Sequence, residues 1–142
     1  MCMILKENDV DKHVAKTDMI VYKIVDKISN DKYVSVFQLC SYEKDKVYKT
    51  SINTRIVTVK PKGEVLYPFI LPKARIIDEG FHSYKHLEDA KSIAEMGNII
   101  IKCIIPKGST FYNGFQEYTL ADGSSALIDQ YVSDKIIVKE EV

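Results

Sequence analysis

The sequence predicts an α+β fold, mostly antiparallel short strands with one helix packed on a sheet, in a single domain over residues 1–142. Two observations carry that prediction. Short β-branched and aromatic segments recur along the chain between Gly, Pro, Asn and Asp turn signals, the mark of strands joined by tight turns. Only one segment, Ser83 to Gly97, carries apolar residues at helical spacing with both of its ends marked.

Taken in order, residues 1–17 have no clear period, although Met3-Ile4-Leu5 fits an edge strand. Asp18 to Ser29 is rich in β-branched residues, and Asn30-Asp31 turns it into Tyr33 to Leu39, which predicts a hairpin. Tyr42 to Lys49 is charged and reads as a loop with an extended piece at Val47-Tyr48. From Arg55 an apolar and polar alternation predicts a strand, which Pro61-Lys62-Gly63 turns into Glu64 to Tyr67. Pro68 and Pro72 bracket Phe69 to Leu71, favouring an edge or a cover, since proline has no ladder donor. Ala74 to Asp78 is a further short strand before Glu79-Gly80.

The stretch from Gly80 to Gly114 is the most informative. Phe81-His82-Ser83 reads as a short strand, Ser83 as the helix N-cap, and Glu88 and Asp89 as acids favouring the positive end of the helix dipole. Leu87, Ala90, Ile93 or Ala94, and Met96 or Gly97 share one face, with Glu88, Lys91, Ser92 and Glu95 on the other, and Gly97 marks the stop. Ile99 to Ile105 is a β-branched run that Pro106 ends, and it predicts the central strand. Phe115 to Leu120 and Ser125 to Val132 flank a turn at Ala121 to Ser124, and Lys135 to Val138 closes the chain.

A hydrophobic content of 46% with 28% charged residues excludes a disordered chain. No apolar run approaches the roughly 20 residues of a membrane helix, and Met1 to Leu5 lacks the features of a signal peptide. A cytoplasmic location with no membrane partner is therefore expected. Three cysteines without a C-x-x-C predict no disulfide framework, with Cys103 in the core.

Charge is uneven although the net charge is zero. Residues 44–75 hold Lys44, Lys46, Lys49, Arg55, Lys60, Lys62, Lys73 and Arg75 against only Asp45 and Glu64, while the remainder of the chain to 142 is acidic. Arg55 and Arg75 are the only arginines, and a guanidinium offers a planar fork to phosphate or carboxylate. His82 leaves a strand where Ser83 and Tyr84 begin a helix whose N-terminal amides favour an anion. These residues predict a site for a small, nucleotide-like anion. Nucleic acid is not expected as a partner, because no aromatic-basic strand pattern and no recognition helix accompany the neutral balance. His82 and His86 have no third ligand at a convincing interval, so neither a metal nor any other cofactor is expected.

Tyr112, Phe115 and Tyr118 gather around Asn113-Gly114 as a candidate contact surface, and self-association into a homo-oligomer stays open. Gln116-Glu117 and Asp129-Gln130 interrupt apolar strands as candidate site groups. No G-x-S-x-G, P-loop or G-x-G-x-x-G occurs, so no catalytic motif stands behind them.

Met-Ile-Val-Tyr-Lys at 19–23, Gly-Phe-His-Ser at 80–83, Leu-Glu-Asp-Ala at 87–90, Lys-Cys-Ile-Ile-Pro-Lys-Gly-Ser at 102–109 and Ser-Asp-Lys-Ile at 133–136 together resemble a family of small proteins of phages, prophages and gut bacteria. The resemblance implies a viral or mobile-element origin and carries no activity across. A second, weaker resemblance is to ADP-ribosyltransferase-like folds, in which Tyr22 would match the opening strand of the NAD cleft and His82 the next. Gln116-Glu117 lacks the spacer of the transferase signature. The resulting expectation is an accessory binding protein of phage type that holds a small anion or blocks a host protein, with a transferase-like enzyme and a virion component as alternatives.

Overall fold

The structure, a computed structural model, describes residues 3–6, 8–36, 40–58, 73–120 and 122–142. The turn at Pro61-Lys62-Gly63, the segment Glu64 to Pro72 and the end of the first hairpin at 37–39 lie outside the described residues. The strands are β1 Met3–Leu5, β2 His13–Val14, β3 Met19–Ser29, β4 Lys32–Ser35, β5 Ser41–Glu43, β6 Val47–Lys49, β7 Asn53–Thr58, β8 Lys73–Glu79, β9 Phe81–Tyr84, β10 Ile99–Ile105, β11 Thr110–Thr119, β12 Ser125–Ser133 and β13 Lys135–Glu141. One helix, α1 Leu87–Ile93, stands between β9 and β10.

Strand takes up 65% of the described residues and helix 6%, so this is a largely β fold and not the predicted α+β fold. The difference lies in the helix. It has seven residues, begins after His86, and takes no side-chain cap from Ser83. Ser83 belongs to β9, where it is paired with Tyr131 of β12 and is 1% exposed. A serine caps a helix only from a free turn, and here the ladder to β12 holds its backbone extended, so tertiary pairing overrides the local preference. The far end also closes early: Ala94 is extended, and Gly97, at φ 90, lies in a turn where the Asn98 N–H donates to the Glu95 carbonyl at 3.1 Å. The amphipathic face is as the sequence reads it up to Ala94, whereas Met96, expected on the packed face, lies beyond the helix end and is fully exposed. Ala90 is buried, and Ile93 and Ala94 pack with it against Ile24, Tyr84 and Ile128.

All pairs between strands are antiparallel, in the order β6-β13-β10-β3-β9-β12-β11-β1-β8-β7, with β2 beside β11 and β4 linking β3 to β5. β10 is an interior strand, paired with β3 on one edge and β13 on the other, although it stands third in the order and not at its centre. β1 is not an edge strand. It lies between β11 and β8 because Met3 and Leu5, 0% and 4% exposed, supply the inward side chains that this part of the core needs.

β8 runs into β9 through Gly80 and changes partners there, from β1 and β7 to β12 and β3. Gly80 has φ 128, and a Cβ on it would overlap Val132 Cγ1, so both the bend and the close approach require glycine. Bent in this way, β8 and β9 surround the cluster Met3, Leu5, Ile77 and Val132 together with β1, β11 and β12. The larger core lies on one face of β3, β10 and β13. Val21, Val25, Ile101, Cys103, Ile105, Ile136 and Val138 meet Tyr33, Tyr42 and Phe81 there.

Candidate functional site

The crossing of β3 and β9 gathers four of the six predicted ligand residues, but it divides them between two faces. Tyr22 is directly opposite Tyr84, on the face that α1 covers. The Tyr84 hydroxyl lies 3.0 Å from that of Tyr118, which also accepts from Gln130 Nε2 at 2.7 Å. Burial pushes the Tyr84 phenol far above its ordinary range, so this is a neutral hydrogen-bonded network. Side chains alternate along a strand, so Ser83 points to the opposite face, as Lys23 does next to Tyr22.

Lys23 is 3% exposed, and its ammonium donates to the His82 carbonyl and lies 5.5 Å from the centre of the Tyr42 ring. No carboxylate pairs with it among the described residues. Burial lowers its pKa to about 8, and it pushes that of Cys103 up to about 12. Burial, reinforced by Lys23, lowers His82 to about 4, so its imidazole is neutral at pH 7. The Ser83 hydroxyl is buried with no hydrogen-bond partner among the described residues. His82, Ser83 and Tyr84 therefore lie inside the fold and do not line a helix N-terminus.

The two arginines are elsewhere and do not converge. Arg55 is opposite Ile76, and Arg75 is opposite Ile56, so alternation sends the two guanidinium groups to opposite faces of the β7–β8 ribbon. Arg55 is paired with Asp78 in an exposed ion pair. Other candidates separate in the same way: Tyr112 packs beside Met3 and Leu5, Tyr118 lies under α1, and Phe115, one residue out of phase with both, faces the other side of β11. Asp129 is ion-paired with Lys6 at 2.9 Å, while Gln130 is 1% exposed inside the Tyr118 network. His13, which the sequence reading passed over, lies 2.6 Å from Asp9 and stacks on Phe111 at 5.2 Å, holding the segment before β2 against β11.

What the sheet does bring together is an outward aliphatic row. Val47 of β6 is opposite Ile137 of β13, Ile137 is opposite Ile104 of β10, and Ile104 is opposite Ile20 of β3. With strands about 4.8 Å apart the row is roughly 14 Å long. Val47 is 46% exposed and Ile20 53%. Lys49 and Lys135 are paired along one side of the row, two residues from Val47 and Ile137. On its other side a depression of about 130 Å³ is lined by Lys44, Asp45, Lys102, Ile104, Lys139 and Glu140. A bulge at Lys102/Cys103 opens the ladder there and lets Lys139 and Glu140 both border it. Lys139 is paired with Asp45 at 2.8 Å and Lys102 with Glu140 at 3.6 Å, whereas Lys44, Lys49 and Lys135 have no carboxylate partner among the described residues.

No family model matches the chain, and no curated protein or solved structure matches it either.

The row accordingly has to be judged on its chemistry. It offers no nucleophile or general base. It offers apolar contact area framed by cations, which is the chemistry of a docking surface. The basic window of residues 44–75 is not one patch: its lysines at 44 and 49 lie by β13, its arginines lie at the β7–β8 end, and Lys60 and Lys62 are outside the described residues. Lys102, Lys135 and Lys139 join the first group from the acidic part of the chain. A local signal for this was present. Val47-x-Lys49, Lys102-x-Ile104 and Lys135-x-Ile137 each place an aliphatic residue and a lysine two apart, hence on one face, but only the register shows that the three faces coincide.

Proposed function

We propose that the protein is a non-catalytic binding protein that holds or blocks a partner protein, of the kind that a phage or mobile element directs at its host, acting in the host cytoplasm. The observation that supports this reading is the lysine-bordered row Ile20, Ile104, Ile137 and Val47, an apolar strip across four strands that is exposed at its two ends and half-buried between them. Soluble proteins scatter exposed aliphatic residues singly, and a contiguous strip with a charged rim is the pattern of a contact site. No helix among the described residues is long and apolar enough to cross a membrane. Capture of a small anion has less support, since Arg55 and Arg75 face apart and His82 is buried and neutral. A transferase-like enzyme would need reactive groups in an open cleft, whereas Tyr22, His82 and Tyr84 are engaged in packing and pairing.

The test is incubation of the purified protein with NAD, cyclic nucleotides and ADP-ribose derivatives, followed by heating and analysis of the supernatant. All should return intact and unretained. Release of nicotinamide, or any new product lost in His82→Ala, would replace the binding reading with an enzymatic one.

A further inference from the structure

We infer that the β6–β13–β10–β3 face receives an amphipathic helix of a partner protein, with an aliphatic stripe flanked on both sides by Asp and Glu. This rests on the binding reading above and gives the partner's chemistry. Three features argue for it. The aliphatic row runs across the strands, so a straight apolar ridge laid along its roughly 14 Å meets all four side chains, and a helix supplies such a ridge in about nine residues at 1.5 Å rise each. Cations without a carboxylate partner among the described residues stand on both sides of the row, Lys49 and Lys135 on one and Lys44 on the other beside the paired Lys102 and Lys139, which matches acids flanking a stripe. The same face already carries a helix: α1 covers Ile24 and Ile100, on the strands that hold Ile20 and Ile104 four residues further along.

Other occupants fit less well. A second copy placed face to face would oppose lysine to lysine, a like-charge arrangement that interfaces avoid. An anionic bilayer presents a broad flat surface, whereas the lysines frame a row only roughly 14 Å long.

The experiment uses the intact protein and two fluorescent synthetic helices of equal length, with identical leucine stripes. One has glutamate on both flanks and the other lysine. Anisotropy titration should show binding of the glutamate helix, weakening as salt is raised, and none of the lysine helix. Ile104→Ser and Lys135→Glu should each weaken it about tenfold or more while the urea midpoint stays near the parent's. Amide resonances of β10 and β13 should shift on binding. Absence of binding by the glutamate helix, equal binding by both helices, or binding indifferent to these two variants would each overturn the inference. So would co-sedimentation with phosphatidylserine vesicles in place of helix binding, since the face would then be a membrane surface. A protein that consumes a nucleotide yet binds the glutamate helix through Ile104 would remove the non-catalytic reading and still support this one.

Discussion

The two faces of β3 treat polarity in opposite ways. On one, Lys23 is enclosed among Val21, Val25, Ile101 and Cys103, held by a carbonyl and an aromatic ring with no carboxylate beside it among the described residues. On the other, Ile20 stands half in solvent in an aliphatic row bordered by lysines. One face encloses a cation at an energetic cost, and the other leaves apolar area unburied where packing would have been favourable. The enclosed cation is a matter of stability, so changes there should be read in unfolding. The open row gains nothing for the isolated fold, so changes there should be read in binding. The distinction fails if stability and binding respond together on either side.

The largest expected effect is at Gly80, next to the enclosed face. Gly80→Val combines a positive φ with overlap on Val132 and should cost about 4 kcal/mol or more, seen as a collapse of the urea midpoint. Gly97 has a positive φ but open space around it, so Gly97→Ala should cost only about 1 kcal/mol. Equal losses would mean that backbone conformation alone matters and that the close approach at the β8–β9 bend does not.

Next in size are two titrations on the enclosed side. Lys23 has a folded pKa lowered by burial from 10.5 to about 8, so between those values the unfolded chain holds a proton that the folded chain has shed. Raising the pH through this window therefore stabilises the fold, by at most about 3 kcal/mol in total. Burial moves Cys103 upward from 9.0 to about 12, and Tyr42 and Tyr84 upward as well, so from about pH 9 the unfolded thiol ionises first and offsets the Lys23 gain, and above pH 10 the unfolded phenols reverse the trend. Urea midpoints should rise from pH 8 to about pH 9 and then level off, and Lys23→Met should remove that rise. His82 works on the acid side. Its pKa falls from 6.5 to about 4 on folding, so stability present above 6.5 is lost as the pH drops toward 4, and His82→Gln should reduce that loss.

Ile104→Ser tests the open side by the opposite criterion. Its stability loss should stay within about 1 kcal/mol, because the side chain is only partly withdrawn from water. A loss of several kcal/mol would mean that the row belongs to the core.

Much of this architecture was legible locally. The β3–β4 hairpin around Asn30-Asp31, the interior place of Ile99 to Ile105, the core position of Cys103 and the wet and packed faces of α1 follow from alternation, turn chemistry and helical period. What could not be read was which strands meet. Ser83 has the chemistry of a helix cap, and only the pairing of β9 with β12 makes it a strand residue. Met3-Ile4-Leu5 looks like an edge because it is short, and only its two neighbours, 70 and more residues away in the chain, place it inside. The candidate site depends most on register. Val47, Ile20, Ile104 and Ile137 come from four separated segments, and a one-residue slip of any strand would turn its member of the row inward.

The smallest expected effect concerns Arg55, which the sequence marks as an anion-binding residue. Its exposed ion pair with Asp78 is screened by water and salt, so Arg55→Ala should change stability by no more than about 0.5 kcal/mol. Arg75 stands on the other face of the same ribbon, so Arg55→Ala/Arg75→Ala should show the sum of two small changes without coupling. Both lie on the last two strands of the β7 end, whereas Lys49 and Lys135 lie on the last two strands of the β6 end. Binding of the glutamate-flanked helix should therefore be unaltered in the double variant and lost in Lys49→Glu/Lys135→Glu. Titrating both variants at two salt concentrations checks this. If the arginine variant lost as much affinity as the lysine variant, charge over the whole molecule would be steering the partner, and the aliphatic row would no longer be distinguished from the rest of the surface.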